Sequence, residues 1–238
     1  MARNFVLVHG AWHGGWCWRR VSDRLIAAGH RVFAPTLTGL GERHHLLSRE
    51  VSLKMMIQDV VGAIEAEELE RVILVGHSFG GTIVAGVADR LPERIAQLVF
   101  LDGSIAESGQ SLFSGVMPPE VAVSRRAAAQ AHDGGLSLPP PKAAALGISD
   151  PADAAWVERQ MTPHPFATFS ETVHWTAPVG HGLPKTYIDC TQPPYAPLAA
   201  LKTRLRNRAD WTFVELKTGH DAMVSASEAL TAILLRFA

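Results

Sequence analysis

Cysteine is nearly missing from this chain. Only Cys17 and Cys190 occur, with no C-x-x-C pair, so a disulfide framework or a zinc ribbon is excluded and a reducing compartment fits best. Excess charge is missing too: 22 Lys and Arg stand against 23 Asp and Glu, a formal net charge of −1. That balance excludes a basic nucleic-acid groove and leaves no reason to expect an anionic membrane partner. The H-E-x-x-H pattern is absent, and pairs such as His44-His45 lack an obvious third ligand, so the eleven histidines do not read as a metal site. The opening "MARNFVLVHG" has neither the length nor the cleavage site of a signal peptide, and a cytoplasmic protein is expected.

What is present is a hydrophobic, moderately charged chain of 238 residues, 47% apolar and 19% charged. Such a chain suits one well-buried domain rather than a disordered one. Its expected partner is a small, mostly apolar molecule, and a homodimer is left open. Six apolar runs bounded by turn signals read as strands buried on both faces: "NFVLVHG", "HRVFAP", "RVILVGHS", "IAQLVFLDG", "KTYIDC" and "WTFVEL". Amphipathic stretches alternate with them: "WCWRRVSDRLIAAG", "SLKMMIQDVVGAIEAEEL" and "FGGTIVAGVADRL". That rhythm predicts an α/β fold, a mostly parallel six-stranded sheet flanked by crossover helices. Between Ser104 and Pro184 the rhythm fails among proline and glycine clusters. The segment 105–184 is therefore read as a small, mainly helical cap inserted after the fourth strand, with 1–104 and 185–238 forming the core. Within it "DPADAAWVERQM" opens with an N-cap and a proline in the first turn, and "SRRAAAQA" is helix.

The junction "VILVGHSFGG" is the informative one. A buried strand runs directly into a helix, and Ser78 stands at the turn between Gly76 and Gly80. A sharp strand-to-helix turn lifts a serine hydroxyl above the sheet, and only small flanking residues let the backbone close. The backbone N–H of Phe79 and the helix N-terminus then face a developing oxyanion. The alternative is a glycine-rich turn whose serine merely caps the helix. A nucleophilic serine needs a histidine base, and His220 alone of the histidines lies after the final strand and before a final helix. His77 reads as a packed neighbour. In the loop after the first strand, Gly10 allows close approach and the Ala11 N–H is the candidate second donor; Trp16 and Trp18 read as helix core.

Together "FVLVHGAWHGGWCW", "PTLTGLGER", "VILVGHSFGG", "LVFLDGSIAESGQS", "TPHPFATFSE" and "GHDAMVSASEAL" resemble the α/β-hydrolase superfamily. Within it they are similar to the cap-bearing branch of plant methylesterases, hydroxynitrile lyases and bacterial carboxylesterases and carbamate or pyrethroid hydrolases. The resemblance implies Ser78 as nucleophile, His220 as base and the N–H groups of Ala11 and Phe79 as oxyanion hole. It also implies an acid in the loop after "KTYIDC", where this chain has Thr191-Gln192-Pro193-Pro194 and no carboxylate. Asp102, at the carboxyl end of the fourth strand, is the preferred substitute. Asp189 and the absence of any acid remain open, and Asp221 reads as solvated or as a supporting group.

The reading is a serine carboxylesterase acting on a small, uncharged, apolar or aromatic ester, or a carbamate, without cofactor or metal. The pocket is expected between sheet edge and cap, lined by Trp12, Phe79, Phe113, Trp156, Phe166, Trp175 and Met223. Two rivals stand beside it. One is a hydroxynitrile lyase, although the resembling lyases place a lysine at Asp221 and a threonine at Gly10. The other is a hydrolase-like small-molecule receptor with little turnover.

Overall fold

The computed structural model describes residues 2–238. Its strands, in chain order, are β1 (Asn4–Val8), β2 (Arg31–Phe33), β3 (Val72–His77), β4 (Ile95–Leu101), β5 (Ser137–Leu138), β6 (His164–Pro165), β7 (Lys185–Cys190) and β8 (Thr212–Leu216). Six of them form one sheet in the order β2-β1-β3-β4-β7-β8. Every neighbouring pair in it is parallel. All six expected apolar runs are therefore in the sheet. β3 is buried at every position and so are all six residues of β7, because central parallel strands are covered by helices on both faces.

The helices are α1 (Arg19–Ala27), α2 (Leu53–Ala66), α3 (Gly80–Arg90), α4 (Leu112–Gly115), α5 (Pro119–Asp133), α6 (Pro151–Gln160), α7 (Ala167–Ser170), α8 (Ala199–Arg206), α9 (Ala222–Ser225) and α10 (Ser227–Leu234). α1 packs on α10, and α2 on α3. Local chemistry sets their starts. Ser52 accepts the Met55 N–H ahead of α2, and Asp150 accepts the Asp153 N–H with Pro151 in the first turn of α6. α3 is buried from Gly80 through Ala88. Its glycines let it lie close: a Cβ on Gly86 would fall 2.3 Å from Ile57 Cδ1 of α2.

Between β4 and β7 the chain forms the four helices α4 to α7, of which α5 and α6 fall on the two stretches read as helix, plus the antiparallel pair β5–β6. Two-residue strands carry no readable periodicity, which is why that pair was invisible in sequence. α8 was also unread. Its buried row Leu198, Leu201, Leu205 is interrupted by Lys202, itself only 8% exposed, so a cation stands where the apolar stripe should continue. Among the described residues, no helix is long and apolar enough to cross a membrane.

Candidate active site

The parallel sheet brings the ends of β1, β3, β4 and the loop after β8 to one edge, where strand-end loops collect functional groups. Ser78 follows β3 with φ +50°, and Asp102 follows β4 with φ +44°, both in the left-handed region that non-glycine residues avoid. The elbow closes only because its flanks are bare. A Cβ on Gly76 would lie 2.5 Å from the Gly80 carbonyl oxygen, and one on Gly80 would lie 2.7 Å from that of His9.

The Ser78 hydroxyl donates to His220 Nε2 at 2.8 Å, and His220 Nδ1 donates to Asp102 Oδ2 at 2.7 Å. An ionised Asp102 keeps the proton on Nδ1 and leaves Nε2 as acceptor. The second oxygen, Oδ1, accepts the Cys190 N–H at 3.1 Å and the Lys202 ammonium at 2.6 Å. Lys202 spends its other donors on Asp189 Oδ1 at 2.8 Å and the Cys190 carbonyl at 3.2 Å. Burial pushes the Asp102 carboxyl up, but the bond to and charge of His220, together with Lys202, outweigh it and hold the group below the ordinary carboxylate range. Burial likewise pushes Lys202 down, and its two aspartates more than reverse that.

Of the two aspartates weighed as the acid, the structure thus brings Asp102 to His220 and turns Asp189 away. Asp189 meets Lys202 and Arg206 instead. Of the two expectations for Asp221, a solvated side chain or a supporting group, the structure gives it a buried place. It is fully buried, 3.0 Å from His13 Nε2 and 3.6 Å from His77 Nε2, because the loop after β8 tucks inward to present His220. Burial pushes His13 down and Asp221 up, but each charge outweighs the burial of the other, so the pair is held ionised. Burial and the charge of His220 push His77 down to about 3, leaving it neutral, and its Nε2–H donates to the His220 carbonyl at 3.1 Å.

His77, His220 and Asp221 crowd ligand-type atoms within 4.8 Å. The engaged atoms are His77 Nε2 with the His220 carbonyl, both His220 nitrogens with Ser78 and Asp102, and Asp221 Oδ2 with His13. His77 Nδ1 and Asp221 Oδ1 are buried without a hydrogen-bond partner.

Ala11 and Phe79 border a small cavity together with Ser78, and their N–H groups enter no backbone hydrogen bond among the described residues. Of the six further side chains expected in the pocket, only Trp12 lines that cavity. Phe113 and Phe166 pack on each other, with Phe113 also against Phe169, one layer behind it. Trp156 packs edge-on to Trp16 and under Arg20, on another face. Trp175 bonds the Ala106 carbonyl and covers α3 beside Ile57. Met223 is wholly buried in α9. These five are corrected to packing positions: aromatic or apolar character alone does not distinguish a cap's own core from its inner lining.

Residues that the sequence reading missed take their place. Tyr195 lies flat on the His220 ring, centroids 3.9 Å apart and planes 17° apart, and accepts from Arg125 at 2.8 Å through its hydroxyl. Arg125 in turn covers Trp12 and Phe169 at 5.0 and 5.6 Å. Tyr195 directly follows the two prolines of the loop that lacks the expected acid; that aromatic was the available signal. Arg125 had none, since a charged residue on an alanine-rich helix reads as a solvated face.

The model of the alpha/beta hydrolase family matches residues 5–233. A carbendazim hydrolyzing esterase of Nocardioides sp. is 40% identical over 234 residues, covering 95% of this chain and 96% of that protein. Methyl jasmonate esterase 1 of Vitis vinifera is 40% identical over 107 residues, 42% of this chain and 38% of its own length. An extracellular alpha/beta-hydrolase from a Paenibacillus species has the same fold, with a TM-score of 0.85 at 24% identity over 98% of both chains.

Proposed function

The chain belongs to the alpha/beta hydrolase family, and on that premise we propose that it is a serine carboxylesterase with Ser78 as nucleophile, His220 as base and Asp102 as acid. The observation that carries the reading is the unbroken relay from Ser78 through His220 to an ionised carboxylate at the end of β4. His220 takes the Ser78 proton as the oxygen attacks an ester carbonyl, while Asp102 stabilises the imidazolium. The oxyanion rests on the N–H groups of Ala11 and Phe79. His220 then gives its proton to the departing alcohol, and a water activated by the same imidazole hydrolyses the acyl-enzyme. Substrate and water complete the reaction.

The substrate is a small, uncharged ester or carbamate of apolar character. Residues 105–184 act as the cap that covers Ser78, and the two buried free cysteines support a reducing, cytoplasmic setting. Cyanohydrin cleavage is disfavoured on charge and on space. The residue after the base is Asp221, already paired with His13, and a Cβ on Gly10 would meet His77 Nδ1 at 2.8 Å, which leaves no room for a threonine. The test is labelling by a fluorophosphonate alongside hydrolysis of p-nitrophenyl acetate. Ser78 takes the label, and Ser78→Ala abolishes both signals. Slow, non-stoichiometric labelling with turnover unchanged in Ser78→Ala would refute the reading.

A further inference from the structure

Two spaces of very different size meet at the Ser78–His220 pair. The inner one, bordered by Ser78 and walled by Trp12, Phe79, Met117, Phe169 and Leu198, holds about 10 Å³, roughly the room of one water molecule. The outer one is an open groove of about 410 Å³ that His220 borders, with Pro141, Ala144, Ala145 and Leu146 along its wall. Arg125 and Tyr195 line both. They form the partition, joined to each other by the 2.8 Å bond and braced by Trp12 on one side and the His220 ring on the other.

The inner walls are held in place. Trp12 Nε1 donates to the Leu138 carbonyl at 3.1 Å, and Phe169 stacks on Phe79 with centroids 5.4 Å apart and meets His164 edge-on at 5.0 Å. Every added acyl methylene therefore has to displace packed aromatic rings.

Acyl transfer has a fixed sidedness. The acyl carbon bonds to Ser78 Oγ with its oxygen at the Ala11 and Phe79 N–H groups, all of which border the inner space. The leaving oxygen takes the proton of His220 Nε2, whose ring borders the outer groove. Resting on the esterase reading, we infer that the outer groove binds the leaving group and that the preferred substrates join a short acyl group to a bulky, flat, apolar alcohol. The groove walls named are proline, alanine and leucine, and Arg125 is its one permanent charge. A leaving group carrying a hydrogen-bond acceptor on the edge facing Arg125 suits it best.

The test uses two isomeric esters, naphthylmethyl acetate and methyl naphthylacetate, with ethyl acetate as the small reference. The isomers contain the same atoms and both release a primary alcohol, so their intrinsic reactivities are close and only the side carrying the ring differs. Naphthylmethyl acetate is expected to have the higher kcat/KM by roughly tenfold or more, since the ring of methyl naphthylacetate would have to enter the inner space. Ala145→Trp, which places a ring on an exposed wall position, is expected to lower kcat/KM for naphthylmethyl acetate roughly tenfold more than for ethyl acetate. A smaller or reversed preference, or an equal effect of Ala145→Trp on both acetates, overturns the groove assignment while leaving the esterase intact. No turnover of any ester, with no labelling of Ser78, removes the esterase reading itself and this inference with it.

Discussion

Three residues at the site hold left-handed backbone: Trp12 at φ +66°, Ser78 at +50° and Asp102 at +44°. Each conformation costs about 1 kcal/mol or more for a non-glycine residue, and such strain collects where geometry is over-determined. At Asp102 the turn aims the carboxylate at His220 while Cys190 and Lys202 hold its other oxygen. Asp102→Asn keeps the shape but favours the wrong tautomer, and kcat/KM for p-nitrophenyl acetate is expected to fall by roughly 10⁴. Asp189→Asn, with its partner Lys202 still bonded to Asp102, is expected to fall by less than about tenfold.

Lys202 offers a finer test at the same scale. The groups facing His220 are Ser78, Asp102, Tyr195 and His77; Asp221 and His13 stand behind His77, and Lys202, Asp189 and Arg206 behind Asp102. The ammonium is the shared partner of Asp102 Oδ1 and Asp189 Oδ1. Lys202→Met leaves both buried carboxylates without it, and kcat/KM for p-nitrophenyl acetate is expected to fall by roughly tenfold, more than in Asp189→Asn. An unchanged kcat/KM would mean that Lys202 only packs.

Among elements, the loops after β1 and β8 are tied by the buried His13–Asp221 pair. The Asp221 contribution is complete above its unfolded pKa and is lost as pH falls through the lowered folded value. The His13 contribution is complete below its unfolded pKa and is lost as pH rises through the raised folded value. The pair is thus fully effective between about pH 4 and pH 6.5. His13→Gln is expected to cost about 3 kcal/mol in that window and less at alkaline pH, seen as a Tm difference that narrows as pH rises. The β3–α3 elbow has no such tolerance: Gly80→Ala drives a methyl into the backbone of the loop after β1, and loss of both stability and labelling of Ser78 is expected.

For the molecule as a whole, one apolar cluster runs from the sheet into residues 105–184, joining Phe100 and Tyr187 to Phe113, Val157 and Phe169. The insertion also holds the residues either side of the base, since the Asp221 N–H donates to the Leu146 carbonyl and Gly147 lies against Gly219. A shared core predicts one cooperative unfolding transition, with near- and far-ultraviolet circular dichroism coinciding and activity lost in step. An earlier near-ultraviolet change would show that residues 105–184 melt on their own.

The six sheet strands, their parallel pairing, the helices α1 to α3 and the placing of an elbow serine and a late histidine at one sheet edge were legible from residues alone. Apolar periodicity, glycine placement and chain order are local signals, and β3–Ser78–α3 carries all three in ten residues. Sequence alone preferred Asp102 as the acid and left Asp189 or none open. Only the tertiary structure turned Asp102 toward His220, gave Asp189 to Lys202 and Arg206, and buried Asp221. It alone set Tyr195 and Arg125 over the site while moving Trp156, Trp175 and Met223 into packing. The physical reason is range: which charge meets which, and which aromatic ring faces a cavity, depend on contacts between segments a hundred residues apart, as His220 and Asp102 are, and no local pattern records them.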